Sequence, residues 1–120
     1  MISGISDRSE FTRLRSDGLH VRSRDLRCRF LLNDTSEGRD QPVRIAYSIS
    51  RKVGNAVVRN RVRRRLKAVF SEIFEASDPP PVTSALVIVL PGAAGLDFAE
   101  LKGQVLELMK KIEKSTESSA

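Results

Sequence analysis

Two segments of the chain alternate between apolar and polar residues, which is the spacing of a β-strand with one buried face. These segments are residues 26–32, where arginines alternate with apolar side chains, and residues 43–50. Residues 86–90 form a continuous apolar run, which is typical of a central strand. The pattern also allows one further short strand between residues 19 and 24.

Three other segments have the spacing of amphipathic helices. The first covers residues 6–16, with Ser6 as its N-cap, and the last covers residues 97–114. The middle helix begins after Asn55, its predicted N-cap, and ends before the prolines at residues 79–81.

The order of these elements predicts the fold class. It is α-β-β-α-β-α, with the optional short strand after the first helix, and it indicates a single-domain α+β sandwich with helices on an open sheet. A chain of 120 residues is long enough for one core, so residues 1–120 are assigned to one domain. Predicted loops are residues 33–42 and 91–95, and predicted frayed ends are residues 1–6 and 115–120.

The charge is unevenly distributed and indicates a polyanionic partner. The net charge is +6, but residues 1–70 contain 17 basic and 7 acidic residues, whereas residues 71–120 contain 4 and 8. Arginine accounts for 15 of the 17 basic residues, and its planar guanidinium group matches phosphate and stacks on bases. Nucleic acid is therefore favoured over a membrane surface.

Composition also indicates the compartment. No apolar run is long enough to span a membrane, and the first residues lack the pattern of a secretory signal. The single cysteine, Cys28, cannot form an internal disulfide, and its apolar neighbours on the strand predict that it lies in the core. These features predict a cytoplasmic protein with no membrane partner.

The most basic segment, residues 52–70, contains no acidic residue, yet it has apolar residues at helical spacing. At 100° per residue these fall in one stripe that can pack on a sheet, with the cations beside and opposite it. Mutual repulsion and the positive helix N-terminus oppose such a helix, and a bound phosphate backbone would relieve both penalties. The stripe is Val58, Val62, Leu66, Val69 and Ile73, with Arg59 and Arg63 on one flank, Arg61 and Arg65 on the other, and Asn60, Arg64 and Lys67 opposite.

Residues 51–67, RKVGNAVVRNRVRRRLK, resemble the RNR signature of the bacterial ribonuclease P protein subunit, and weaker similarity extends over residues 8–113. The resemblance implies an α-β sandwich with a left-handed βαβ crossover, against the usual hand. It implies the small subunit of a ribonucleoprotein that removes the 5′ leader from precursor tRNA. In this family the RNA subunit and substrate hold the catalytic Mg²⁺, the protein binds no cofactor, and the protein alone is inactive.

The same resemblance assigns roles to individual residues. A cleft between the first helix and one sheet face would bind the leader, with Arg15 and Arg29 at positions where the family has aromatic residues. Guanidinium groups would then stack on the leader and pair with its phosphates. Arg65 occupies a position where an apolar residue is expected. The implied RNA-binding residues are Arg51, Lys52, Asn55, Arg59, Asn60, Arg61, Arg63, Arg64, Arg65 and Lys67, and the implied cleft residues are Phe11, Arg15, Arg27 and Arg29.

The residues alone leave other functions open. A generic RNA-binding or ribosome-associated protein would have the same basic helix, whereas the order of residues in the signature favours ribonuclease P. A stand-alone nuclease needs an acid–base pair or a metal site, and His20 is the single histidine, so no catalytic or metal-binding residue is assigned. The strands around the signature disfavour a helix-turn-helix. The expected partners are the catalytic RNA and precursor tRNA, and the protein is expected to be monomeric outside the holoenzyme.

Overall fold

A computed structural model describes residues 2–3, 8–16, 18–32, 43–75 and 82–118 of the chain. These residues form five strands, three α-helices and one 3-10 helix. In chain order they are β1 (Ile2–Ser3), α1 (Arg8–Ser16), β2 (Leu19–Arg22), β3 (Leu26–Leu32), β4 (Val43–Ile49), α2 (Ala56–Glu75), β5 (Val82–Val89), the 3-10 helix (Pro91–Gly95) and α3 (Phe98–Ser118).

The strands form one sheet in the order β1-β4-β5-β3-β2, with β5 at its centre. Strands β4 and β5 are parallel and α2 connects them, whereas β3 pairs antiparallel with both β5 and β2. This topology confirms the α+β class and the predicted order of elements, including the short strand after the first helix. The left-handed sense of the crossover stays a prediction.

The main core lies between one face of the sheet and the layer formed by α2 and α3. Alternate residues of β3 enter it, namely Leu26, Cys28 and Phe30, which are fully buried. Cys28 is therefore a core residue, as predicted, and its burial raises the pKa of its thiol to about 12. The helices contribute Val62, Leu66, Val69, Phe70, Phe74, Leu101, Val105, Leu108 and Ile112.

The apolar stripe predicted for α2 is confirmed and is wider than predicted. Its centre is buried and its two ends, Val58 and Ile73, are partly buried against the core. Phe70 and Phe74 are also buried, with their ring centroids 5.7 Å apart. The ring centroid of Tyr47 on β4 lies 6.2 Å from that of Phe70, so this tyrosine packs against the core.

Residues of α3 also hold the turn between β2 and β3. The Gln104 amide oxygen accepts hydrogen bonds from Ser23 Oγ at 2.7 Å and Asp25 N at 2.8 Å. Its amide nitrogen donates to Asp25 Oδ2 over 2.8 Å. The polar groups of this part of α3 are therefore used within the fold.

The described residues of the two predicted frayed ends, 2–3 and 115–118, and one predicted loop are more regular than predicted. Ile2 and Ser3 pair in parallel with β4, because backbone hydrogen bonding to an open sheet edge needs no apolar pattern. Helix α3 continues to Ser118, because each residue added to a formed helix gains a backbone hydrogen bond whatever its side chain. Residues 91–95 form a 3-10 helix instead of a loop, since Pro91 suits a first helical position.

One element boundary also differs from the prediction. The central strand begins at Val82, four residues before the apolar run. Helix α2 covers Ala56–Glu75 and so ends before the prolines, as predicted, and helix α1 covers Arg8–Ser16. The predicted cap Ser6, the loop at residues 33–42 and the prolines at residues 79–81 lie outside the described residues.

Candidate RNA-binding surfaces

A tight turn positions the start of α2. Val53 N donates to Ser50 O over 3.1 Å, and the Val53 side chain is buried. A Cβ atom at Gly54 would lie 2.7 Å from Val58 Cγ1, so glycine allows the turn to pack closely against the helix. Asn55 Oδ1 accepts a hydrogen bond of 3.0 Å from Val58 N, which confirms Asn55 as the N-cap.

The side of α2 that faces away from the core presents most of the predicted RNA-binding residues. Arg64 and Lys67 are exposed, and Arg59 and Arg63 are half-buried beside the apolar stripe. Arg63 Nη1 donates to Asn60 Oδ1 over 3.3 Å, which orients both side chains. We call this set, together with the exposed residues of the preceding turn, the basic helix surface: Arg51, Lys52, Arg59, Asn60, Arg63, Arg64 and Lys67.

The basic helix surface has no internal counter-charge. Within the described part of the chain, none of its arginines or lysines forms an ion pair. Helix α2 does form an ion pair with α3, but through its acidic residue Glu72, which lies 2.6 Å from Lys102. The cations of this surface are therefore available to an external anion.

The other flank of α2 contacts the 3-10 helix and the residues that follow it. Arg65 Nη1 donates to Leu96 O over 2.8 Å, and Arg61 Nη2 donates to Ala94 O over 3.4 Å. An arginine at position 65 is thus accommodated by a backbone carbonyl rather than by the core. Arg61 and Arg65, both predicted RNA contacts, also have this structural role.

The second predicted site lies on the sheet face opposite the main core. Helix α1 packs on β3 and β5 there, with Leu14 fully buried. Arg29 Nη1 donates to the carbonyl oxygen of Arg15 over 3.2 Å, which joins the end of α1 to β3. Phe11, one helical turn before Arg15, is half-buried, and the Arg15 side chain is exposed.

Sheet register places Arg27 on the same face as Arg29. Arg29 lies between His20 of β2 and Leu86 of β5, and Arg27 lies between Arg22 and Ile88. The structure therefore brings Arg29 into contact with the backbone of Arg15 and places Arg27 two residues before Arg29 on β3. We call Phe11, Arg15, Arg27 and Arg29 the open-face groove.

His20 and Arg22 extend the charge of this face and were not among the predicted site residues. The pKa of His20 is lowered by partial burial and, in decreasing order, by the charges of Arg29, Arg27 and Arg22. Strand alternation places residues 20 and 22 on one side of β2, and in the hairpin they pair with Arg29 and Arg27. This alternation is the sequence feature that could have identified them as part of the site.

The described residues include no candidate metal centre, since no three of their His, Cys, Asp and Glu side chains cluster closely enough to hold an ion. None of the described helices is long and apolar enough to cross a membrane. Both Cys28 and Tyr47 have a raised pKa because of burial, so neither is placed to act as a nucleophile.

Comparison with known proteins decides the family. Residues 3–113 match the family described as Ribonuclease P. The chain belongs to the ribonuclease P protein family. A ribonuclease P protein component from Gluconacetobacter diazotrophicus is 36% identical over 107 residues, which are 89% of this chain and 88% of the relative.

Solved structures of ribonuclease P proteins have the same fold. The Staphylococcus aureus protein is 26% identical and superposes with a TM-score of 0.70, over 92% of this chain and 94% of that one. The protein from Thermotoga maritima, at 21% identity, has a TM-score of 0.72 over 90% of this chain and 96% of that one, which shows the shared fold.

Family membership gives the general function. The chain is the protein subunit of ribonuclease P, a tRNA-processing endoribonuclease that is a ribonucleoprotein, and its partner is the ribonuclease P RNA. The resemblance of residues 51–67 to the RNR signature therefore identified the family correctly.

Proposed function

We propose that the basic helix surface binds the ribonuclease P RNA and that the open-face groove binds the 5′ leader of precursor tRNA. The observation that carries the first assignment is the set of cations on α2 that form no ion pair with any described residue, on a helix whose opposite side packs in the core. Guanidinium groups on a rigid helix can pair with phosphates at little entropic cost. A generic RNA-binding protein could have the same surface, so the inference that this protein takes part in tRNA cleavage rests on its membership of the ribonuclease P family.

We further propose that the protein supplies binding and the RNA supplies chemistry. The single histidine is exposed beside three arginines, and the thiol and phenol are in or against the core. Such side chains can bind and orient phosphates, but they do not form an acid–base pair around a water molecule. Mg²⁺ held by the RNA subunit and the substrate would supply the activated water, and no residue of this chain is assigned to it.

Reconstitution tests this division. Protein freed of RNA by nuclease treatment, the RNA subunit alone and the recombined complex are each incubated with precursor tRNA and Mg²⁺. We expect cleavage with the RNA subunit and more efficient cleavage after recombination at low salt. Cleavage by the RNA-free protein would contradict the assignment of chemistry to the RNA, and no effect of the protein on the RNA would favour a generic RNA-binding function.

The leader assignment is supported by the combination of one aromatic ring with several arginines on the sheet face opposite the main core. A base stacked on Phe11 would contribute about 1–3 kcal/mol, and Arg27 and Arg29 would pair with adjacent phosphates. Phe11→Ala and Arg27→Ala holoenzymes should therefore bind precursor tRNA more weakly and mature tRNA normally. Arg27 is preferable to Arg29 here, because Arg29 also holds the end of α1.

The exposed Lys110 of α3 provides a matched control for charge removal, and Lys110→Ala should affect neither tRNA. Equal losses for precursor and mature tRNA in the groove variants would show that the groove does not bind the leader.

His20 provides a second measurement of the same assignment, because it is the single histidine and gives one imidazole signal by NMR. Its pKa is lowered in the free protein partly by three arginines. Leader phosphates near those arginines would offset their charge, so a single-stranded leader oligonucleotide should raise the pKa of His20. Saturable leader binding without a change in this pKa would place the leader elsewhere.

We also propose that the free subunit is a cytoplasmic monomer. Large exposed hydrophobic residues of the described chain lie on three different elements rather than in one patch: Leu19 on β2, Val57 on α2, and Phe98 and Leu106 on α3. Analytical ultracentrifugation of the RNA-free protein should give a single species of about 13.4 kDa, and a concentration-dependent dimer would contradict the proposal.

A further inference from the structure

A cavity of about 360 Å³ lies where the basic side of α2 meets the first turn of α3. Its lining combines two kinds of side chain. Ala68 and Phe98 supply apolar surface, and three arginines supply positive charge. Phe98 is 37% exposed, so part of its ring is accessible to a ligand. We call this cavity the Phe98 pocket; it is lined by Arg61, Arg64, Arg65, Ala68 and Phe98.

The backbone that carries Phe98 is fixed on both sides. On one side, Arg65 and Arg61 donate to the carbonyl oxygens of Leu96 and Ala94 at 2.8 and 3.4 Å. On the other, a reciprocal cap starts α3: Asp97 Oδ1 accepts from Glu100 N at 2.8 Å, and Glu100 Oε1 accepts from Asp97 N at 3.1 Å. The backbone position of Phe98 is therefore fixed before any ligand arrives.

The charge of the pocket favours an anion, although the carboxylates of Asp97 and Glu100 lie at the start of the same helix as Phe98. Both carboxylates are engaged by the backbone at the positive end of α3. Arg64 is exposed and has no partner among the described residues, and Arg61 uses a single described hydrogen bond, through Nη2. Because Arg64 also belongs to the basic helix surface, the pocket continues that surface without a gap.

We propose that the Phe98 pocket binds one unpaired nucleotide of the ribonuclease P RNA, with its base stacked on Phe98 and its phosphate paired with Arg64. This inference rests on the proposed function of the basic helix surface. An aromatic face next to guanidinium groups matches a nucleotide, which has a flat base and an anionic phosphate. An apolar protein segment would fill the hydrophobic part of the pocket but would leave the arginines without a counter-charge.

Salt-dependent binding to the ribonuclease P RNA tests the pocket. Stacking is not ionic, so Phe98→Ala should weaken binding by about tenfold and leave the slope of log affinity against log salt unchanged. Phe98→Trp should retain affinity, because it keeps an aromatic face. Phe98→Leu should bind as weakly as Phe98→Ala, because it keeps an apolar side chain without a π-face.

Leu106→Ala is the matched control, since Leu106 is an apolar residue of the same helix with 42% exposure. It should bind RNA as the wild type does. If Phe98→Ala or Phe98→Leu binds normally while Arg64→Ala is weakened, the pocket proposal is wrong and the proposed function stands. If the wild-type protein shows no salt-dependent binding to the RNA, the proposed function itself fails. Equal melting temperatures of the Phe98 and Leu106 variants would show that a difference in RNA affinity does not come from a difference in protein stability.

Discussion

Helices α2 and α3 lie in the same layer and are nearly equal in length, with 20 and 21 residues, but they use their polar residues differently. In α3, polar groups are bonded within the protein: Asp97 and Glu100 cap its start, Gln104 holds the β2–β3 turn, and Lys102 pairs with Glu72. The first half of α2 has no acidic residue, and none of its cations forms an ion pair within the described chain.

This difference separates structural from functional charge. Both helices bury an apolar stripe, so packing does not require the arginines of α2. Crowded like charges at an N-terminus lower helix stability, and among the described residues only Arg61 and Arg65 offset this with a hydrogen bond to another element. The contrast therefore indicates that the polar residues of α3 stabilise the fold, whereas the basic helix surface of α2 serves a ligand.

The largest expected effect concerns the apolar stripe of α2, which is buried in the core as the apolar stripe of α3 is. Val62→Asp would bury a carboxylate that has no partner, because Val62 is fully buried in the core. We expect a loss of about 4 kcal/mol or more, enough to unfold the domain, as seen by circular dichroism. Val57→Asp, at a site with 73% exposure, should remain folded. A stable Val62→Asp protein would mean that the stripe does not form the core.

The next effect compares one polar residue from each helix. Gln104→Ala removes three hydrogen bonds and leaves Asp25 N without its acceptor, so it should lower the free energy of unfolding by about 2 kcal/mol. Asn60→Ala, on the exposed face of α2, should cost less than about 0.5 kcal/mol. Urea denaturation measures both, and equal losses would remove the distinction between the helices.

Capping residues should have similar, smaller effects in both helices. Asn55→Ala and Asp97→Ala each delete a side-chain acceptor for a backbone N–H at a helix N-terminus. Each should lower stability by about 1 kcal/mol. Asp97→Ala should lose slightly more at low salt, because its carboxylate also interacts with the helix dipole. The melting temperature at two salt concentrations checks this; a neutral Asp97→Ala would show that the cap does not stabilise α3.

The smallest change in stability should come with a clear change in RNA binding. Arg64→Ala should leave the melting temperature almost unchanged, since the side chain is exposed. It should flatten the slope of log affinity against log salt by about 0.7–0.9, the contribution of one phosphate contact. Lys110→Ala removes an equal charge from exposed α3 and should leave the slope unchanged. Identical slopes for the two variants would assign the salt dependence to net charge rather than to α2.

The sequence predicted those features that depend on a local repeat. The strand around Cys28, the helix around Leu66 and the N-cap Asn55 each follow from neighbouring residues, because one buried face imposes a period of two or 3.6. Contacts between distant residues could not be predicted in this way. Arg65 reaches Leu96 across 31 positions, and Gln104 reaches Asp25 across 79.

The same limit applies to the candidate sites. The basic helix surface was predicted because all but its first two residues lie on one helix. The positions of His20 and Arg22 beside the open-face groove could be identified only from the register of the β2–β3 hairpin. The proposed role of Phe98 could not be predicted from the sequence either. It depends on the start of α3 lying beside Arg61 and Arg64, and the hydrophobic periodicity of each helix gives no information on how the two helices pack.

RNA binding to the proposed surface of α2 would be linked to folding. The opposite side of α2 packs in the core of the folded domain, so the RNA should bind the native chain and not the unfolded one. At a free RNA concentration 100 times the dissociation constant, this linkage would add about 2.7 kcal/mol to the stability of the protein. The RNA would then act as a folding ligand, and subunits made in excess of it would be the ones most open to unfolding and proteolysis.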